Sequence, residues 1–175
     1  TVCSLFPNQF SRYFAFSINV LAMAGILIML FKIVKRITKN NLYALIATGA
    51  FAFSIACTTM TIYLRMYATL TFFVLSMIYM NLKIFERKNT AKFTDFLILG
   101  LITLLGTLTQ YYFILFEGLT GLIMLVFQIK ERNIKDLIKY IITAVLGSAA
   151  ALCIYPYIIT NVLGGNRGFG SLSIS

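Results

Sequence analysis

The sequence predicts an all-α, polytopic transmembrane helical bundle of about six spans, and three observations carry that prediction. Of the 175 residues 60% are hydrophobic and 11% charged, with a mean hydropathy of +0.90. A soluble domain of this size could not bury so much apolar surface. The apolar residues fall into runs near the length of about 20 that a helix needs to cross the hydrocarbon core. Most lysines and arginines stand in short clusters between those runs, which is how membrane topology is set. The spans must be helical, because an open sheet edge would leave backbone groups unsatisfied in lipid.

In chain order the runs are 13–34, 42–62, 67–85, 93–109, 111–129 and 137 to about 162. The first ends in the cluster Lys32, Lys35, Arg36 and Lys39, and the second leads to the short turn "LRMY". The third ends in Lys83, Arg87, Lys88 and Lys92. The fourth and fifth form one nearly uninterrupted apolar stretch, far longer as a single helix than the bilayer is thick. It must fold back, and the polar group "TLTQYY", Thr107 to Tyr112, is the place for the bend. A hairpin there also puts the preceding basic cluster on the same side as the following one, Lys130, Arg132, Lys135 and Lys139. The sixth run is kinked or ended by Pro156 and passes into a glycine-rich segment, 164–175. Residues 1–163 therefore read as the transmembrane domain and 164–175 as an outward exit.

Three clusters of four leave only Arg12, Arg65 and Arg167 of the 15 basic residues for the other side. The positive-inside bias then places the basic loops in the cytoplasm and both ends of the chain outside it. A net charge of +10 distributed in this way sets topology and does not argue for nucleic acid. The opening residues lack the pattern of a cleaved signal peptide, and the chain reads as a piece of a longer protein. Its Lys, Ile, Asn and Phe usage, without tryptophan, looks like that of an AT-rich bacterial genome.

Cys3, Cys57 and Cys153 are isolated, and without histidine there is neither a Cys/His metal pattern nor a nucleophile–histidine pair. Paired carboxylates for acid–base work are missing from the outer side, and the glycine-rich exit lacks the lysine and setting of a P-loop. The residues that could carry chemistry are few. Arg65, in the first outer turn between Tyr63 and Tyr67, either reaches lipid headgroups beside belt tyrosines or binds a phosphorylated ligand through its rigid fork. Gln110, Tyr111 and Tyr112 either form a polar bend or line a path for sugar and isoprenoid.

Glu117, about two turns further into the membrane, is the only carboxylate outside the cytoplasmic loops. Three readings stay open for it: a protonated helix–helix hydrogen bond, a partner for Arg65 or for an arginine elsewhere in the longer protein, or a proton or substrate site. Gly100, Gly106, Gly118 and Gly121 are expected as close-packing positions.

The order of these features resembles the GT-C superfamily of polyprenyl-phosphate-sugar-dependent glycosyltransferases, bacterial family 39 type, akin to protein O-mannosyltransferases and the lipid A aminoarabinose transferase. "CSLFPNQFSRYFAFSINVL" resembles a Phe-Pro-Gly-Gln-Phe-Ser-Lys approach to a span, with Asn8 and Arg12 replacing the glycine and lysine. "YLRMYATLTFFVLSMIYM" is similar to the family's Arg-Met-Tyr segment, and "TQYY" to a Thr-His-Tyr-Tyr turn in which Gln110 replaces the histidine.

The resemblance implies single-displacement transfer of a sugar from a polyprenyl phosphate, at the extracytoplasmic face of a bacterial cell membrane, to a lipid, protein or wall-polymer acceptor. It implies Arg65 as ligand of the donor phosphate and Tyr67, Gln110, Tyr111 and Tyr112 along the substrate path. The catalytic acidic residue is expected upstream of Thr1. No cofactor is expected within the chain, though a divalent ion on upstream carboxylates is compatible with the family. A segment of a flippase or proton-coupled transporter is the alternative; it should show related halves and ionisable groups near the midplane. A non-catalytic scaffold would need only packing.

Overall fold

The computed structural model describes residues 8–62, 67–87, 90–131 and 133–156, the side chains of 8–12, 15 and 60–62 excepted. Among the described residues there are seven α-helices and no strand: α1 (Asn8–Thr38), α2 (Asn41–Ala52), α3 (Ile55–Ile62), α4 (Tyr67–Arg87), α5 (Phe93–Thr109), α6 (Phe113–Lys130) and α7 (Ile134–Ile154). The all-α membrane class follows. Four stretches are long and apolar enough to span: Phe16–Thr38 within α1, and the whole of α4, α6 and α7. At 17 residues, α5 is about 25 Å long and lies at the lower limit for a span.

The run 42–62, expected as one span, is two helices. Phe53 and Ser54 leave the helical path between α2 and α3. The cause is local: the Ser54 hydroxyl donates to the Phe51 carbonyl at 2.6 Å and accepts from the Cys57 N–H at 3.2 Å. One side chain thus closes α2 and caps α3, giving the backbone partners that a continuous helix would otherwise supply. The pieces, 12 and 8 residues long, measure about 18 and 12 Å and together still match the hydrocarbon thickness. A second difference is at the C-terminus, where α7 stops at Ile154 instead of running on toward 162. Pro156 excludes the helical conformation at Tyr155 and removes an N–H donor. The exit segment 164–175 lies outside the described residues.

The chain divides into two compact units, residues 1–79 and 80–175. In the first, Ala22, Met23 and Ile26 of α1 and Ala68 of α4 form a core, with Phe51, Cys57, Phe72 and Leu75 packed around it. Gly25 makes the approach of α4 possible, since a Cβ there would meet the Phe72 ring at 2.6 Å. The corner from α1 to α2 is tight. Lys39 adopts φ 54° and its N–H bonds the Lys35 carbonyl at 2.9 Å, a left-handed helix end, and Asn40 caps α2 by accepting from the Leu42 N–H at 2.8 Å. The cations of Lys32 and Arg36 lie 6.0 and 5.3 Å from the Tyr79 ring centre.

In the second unit α5 and α7 cross at small residues. A Cβ on Gly147 would stand 2.9 Å from the Gly100 carbonyl oxygen and 2.9 Å from the Thr103 methyl, and one on Gly100 would stand 2.9 Å from the Thr143 methyl. This is the backbone approach that small residues allow in lipid. Gly106 is likewise close-packed, against Phe113. Gly118 is not, because it faces open space, and Gly121 makes only ordinary contact with Tyr140. Gly118, one position beyond the inward-facing Glu117, falls on an outward face of α6, whereas Gly121, four positions beyond, shares the Glu117 face and is half-buried.

At the other end of this unit, buried Asp95 accepts from Lys83 at 2.7 Å and Arg87 at 2.5 Å, and from the Lys92 N–H at 3.3 Å. It ties the end of α4 to the start of α5. Asn133 and Asp136 begin α7, the Asn133 side chain donating to the Asp136 carboxylate at 2.9 Å while Lys139 reaches the same carboxylate at 3.3 Å.

Candidate functional site

The bend expected at "TLTQYY" exists, and its residues explain it. Thr109 ends α5, Gln110 is extended, and α6 begins at Phe113. The Gln110 N–H closes on the Gly106 carbonyl at 3.0 Å and the Phe113 N–H on the Gln110 carbonyl at 2.9 Å. The turn is this short because Gly106 has no side chain. A Cβ there would meet the buried Phe113 ring at 2.6 Å, so the ring fills the space that a larger residue would need.

Gln110, Tyr111 and Tyr112 therefore form one cap on the hairpin. Gln110 and Tyr111 are half-buried and Tyr112 is exposed. The two tyrosine rings lie 4.2 Å apart, tilted by 40°. The cap offers an amide, two phenol hydroxyls and flat apolar faces, a set that can bond hydroxyl-rich ligands and cover an apolar chain.

Glu117 lies four residues into α6, about 6 Å below the start of the helix. It is buried, and each carboxylate oxygen has a hydroxyl donor: Thr103 of α5 at 3.0 Å on Oε1 and Ser148 of α7 at 3.0 Å on Oε2. One side chain thus joins three helices. Of the three readings open for Glu117, this geometry is that of the helix–helix hydrogen bond, made twice. Below it, Tyr140 is buried near Thr120 and Asn81, which continues a polar seam.

The structure brings Gln110, Tyr111, Tyr112 and Glu117 together on one hairpin. Tyr67 begins α4 in the first unit and is half-exposed. Arg65, the residue expected to hold phosphate, lies outside the described residues, as does Arg167. Among the described residues no three Asp, Glu and Cys side chains gather to hold a metal.

Three residues of the site escaped the sequence reading: Thr103, Ser148 and Gly147. Only Gly147 leaves a trace there, a small-xxx-small pair with Ala151, both buried.

Residues 3–159, all but the ends of the chain, match the family model described as Dolichyl-phosphate-mannose-protein mannosyltransferase. No curated protein and no solved structure matches the chain.

Proposed function

The chain belongs to the dolichyl-phosphate-mannose-protein mannosyltransferase family of membrane glycosyltransferases, and we propose that it forms part of an enzyme transferring a sugar from a polyprenyl phosphate at the extracytoplasmic face. The observation that carries this reading is the family match, which spans both the Arg65 turn and the Gln110–Tyr112 cap in one stretch. Membership in the family implies a sugar donor, an acceptor and a lipid surroundings. The polyprenyl carrier, the bacterial cell membrane and the side of transfer are our proposal.

In the proposed step an acceptor hydroxyl attacks the anomeric carbon of the sugar. The bond from that carbon to the phosphate oxygen breaks with its electron pair, and the acceptor proton passes to a carboxylate base. Charge therefore accumulates on the departing polyprenyl phosphate. Arg65 is assigned to that phosphate, because a guanidinium presents two parallel donors to it and counts most where charge develops. Tyr67 and the cap residues Gln110, Tyr111 and Tyr112 are assigned to the path of donor or acceptor. Both oxygens of Glu117 are engaged by Thr103 and Ser148, so the base is assigned to a different carboxylate.

Arg65→Ala in the full-length protein is expected to lower transfer from a polyprenyl-phosphate sugar by at least about tenfold, equivalent to about 1.4 kcal/mol, with membrane insertion intact. Arg65→Lys should recover only part of it, since a point charge lacks the fork. Wild-type turnover in Arg65→Ala would refute the assignment. Labelling of a cysteine placed at position 65 only from the cytoplasm would refute the orientation.

A further inference from the structure

The four basic residues at the end of α1 differ from the other two clusters in one respect. Residues 80–139 contain carboxylates among their lysines and arginines, and Asp95 and Asp136 are paired with them. Residues 1–79 contain no aspartate or glutamate at all. An anion that neutralises this cluster cannot come from its own unit.

Within the cluster the cations divide by direction. Lys32 and Arg36 lie over Tyr79, whereas Lys35 is on the mouth of an open cavity of about 510 Å³ lined by Phe31, Lys35, Asn41, Leu42 and Leu45. It is a shallow, open groove, not an enclosed pocket. Its walls are apolar apart from Lys35 and Asn41, and Leu42 and Leu45 are exposed. Lys39, also exposed, ends α1 four residues beyond Lys35. The cavity therefore has one ammonium group, that of Lys35, on its wall at the end of an apolar span, with the exposed Lys39 four residues on in the chain, and opens onto bare hydrocarbon surface.

We infer that the corner between α1 and α2 binds one anionic phospholipid, with its phosphate held by Lys35 and Lys39 and an acyl chain lying along Phe31, Leu42 and Leu45. A free phosphate would gain nothing from the apolar wall, and a neutral lipid would gain little from the lysines. An anionic diester on a hydrocarbon chain uses both. The position suits it, because the apolar span ends at Thr38, where headgroups begin. Each lysine near such a surface contributes about fivefold in affinity, the equivalent of about 1 kcal/mol. The inference is independent of the proposed sugar transfer.

The test is native mass spectrometry of the purified full-length protein in detergent, titrated with phosphatidylglycerol and with phosphatidylcholine of the same chain lengths. One phosphatidylglycerol should be retained at a concentration several-fold below that needed for phosphatidylcholine. Lys35→Gln with Lys39→Gln should weaken it by roughly 25-fold, two lysines at about fivefold each. Lys35→Arg should bind like wild type, which separates loss of charge from misfolding. Leu45→Trp, which fills the groove, should weaken binding although both lysines remain. Inorganic phosphate should not displace the lipid. Equal retention of the two lipids, wild-type binding in the double glutamine variant or in Leu45→Trp, or displacement by phosphate would each overturn the inference.

Discussion

Replacing Glu117 with alanine removes the acceptor of two hydroxyls on two different helices, and the size of the effect can be worked from those contacts. Both hydrogen bonds are 3.0 Å long. In water-soluble proteins a hydrogen bond contributes about 0.5–1.5 kcal/mol. Between membrane helices double-mutant cycles average about 0.6 and reach about 1.7, because an opened helix in lipid finds other partners. Two such bonds give about 1–3 kcal/mol, before any loss from the cavity the side chain leaves. The cavity is removed by cycles pairing Glu117→Ala with Thr103→Ala and with Ser148→Ala. Equilibrium unfolding in mixed detergent micelles should return a coupling of about 0.6–1.7 kcal/mol for each pair. Glu117→Gln should lose less, since its carbonyl still accepts one hydroxyl. Additive single-mutant effects in both cycles would refute the three-helix tie.

Gly147→Ala should destabilise by about 1–3 kcal/mol in thermal unfolding, because its Cβ meets the Gly100 carbonyl, which cannot rotate away. Gly118→Ala, added into open space on the same unit, should instead stabilise by up to about 1 kcal/mol through helix propensity; the same sign for both would refute the packing argument. Asp95→Ala should cost about 1–3 kcal/mol in the same assay, the range of a charge-assisted hydrogen bond, because Lys83 and Arg87 are half-exposed and can turn to water once their partner is gone. Wild-type stability in that variant would leave the α4–α5 tie without energetic content.

How far the sequence could be read depended on whether a residue's role is set by its neighbours in the chain or by register between helices. The hairpin was legible because length and charge demanded it: one helix over 93–129 would outrun the bilayer, and basic clusters at both ends had to share a side. Glu117 was legible as an ionisable residue in an apolar run. Its partners were not, since they lie 14 and 31 residues away. Hydroxyls in apolar helices commonly bond a carbonyl one turn back, as Thr109, Thr120 and Thr143 do here. Nothing local distinguishes those from Thr103 and Ser148, which turn outward to a carboxylate. Gly118 misled for the same reason, because glycine marks a contact only when the helix presents it to a neighbour.

The interruption of the second run bears most on the choice between a transferase and a carrier. Transporters commonly break helices at membrane depth so that unwound carbonyls and half-helix ends can hold ions or substrate. At Phe53–Ser54 the freed groups are taken up locally: the Phe53 N–H bonds Gly49, the Ser54 N–H and hydroxyl both bond Phe51, and the Cys57 N–H bonds Ser54. The side chains that flank the break, Phe53 and Ile55, are 94% and 83% exposed and apolar. The break is therefore bridged by Ser54 and walled by apolar side chains, and it acts as a bend that Ser54 holds. Ser54→Ala should cost about 1 kcal/mol, the loss of an N-cap, and leave sugar transfer by the full-length protein unchanged. Loss of transfer in a Ser54→Ala variant of near wild-type stability would place the bend inside the transferase's own binding site and refute its purely structural role.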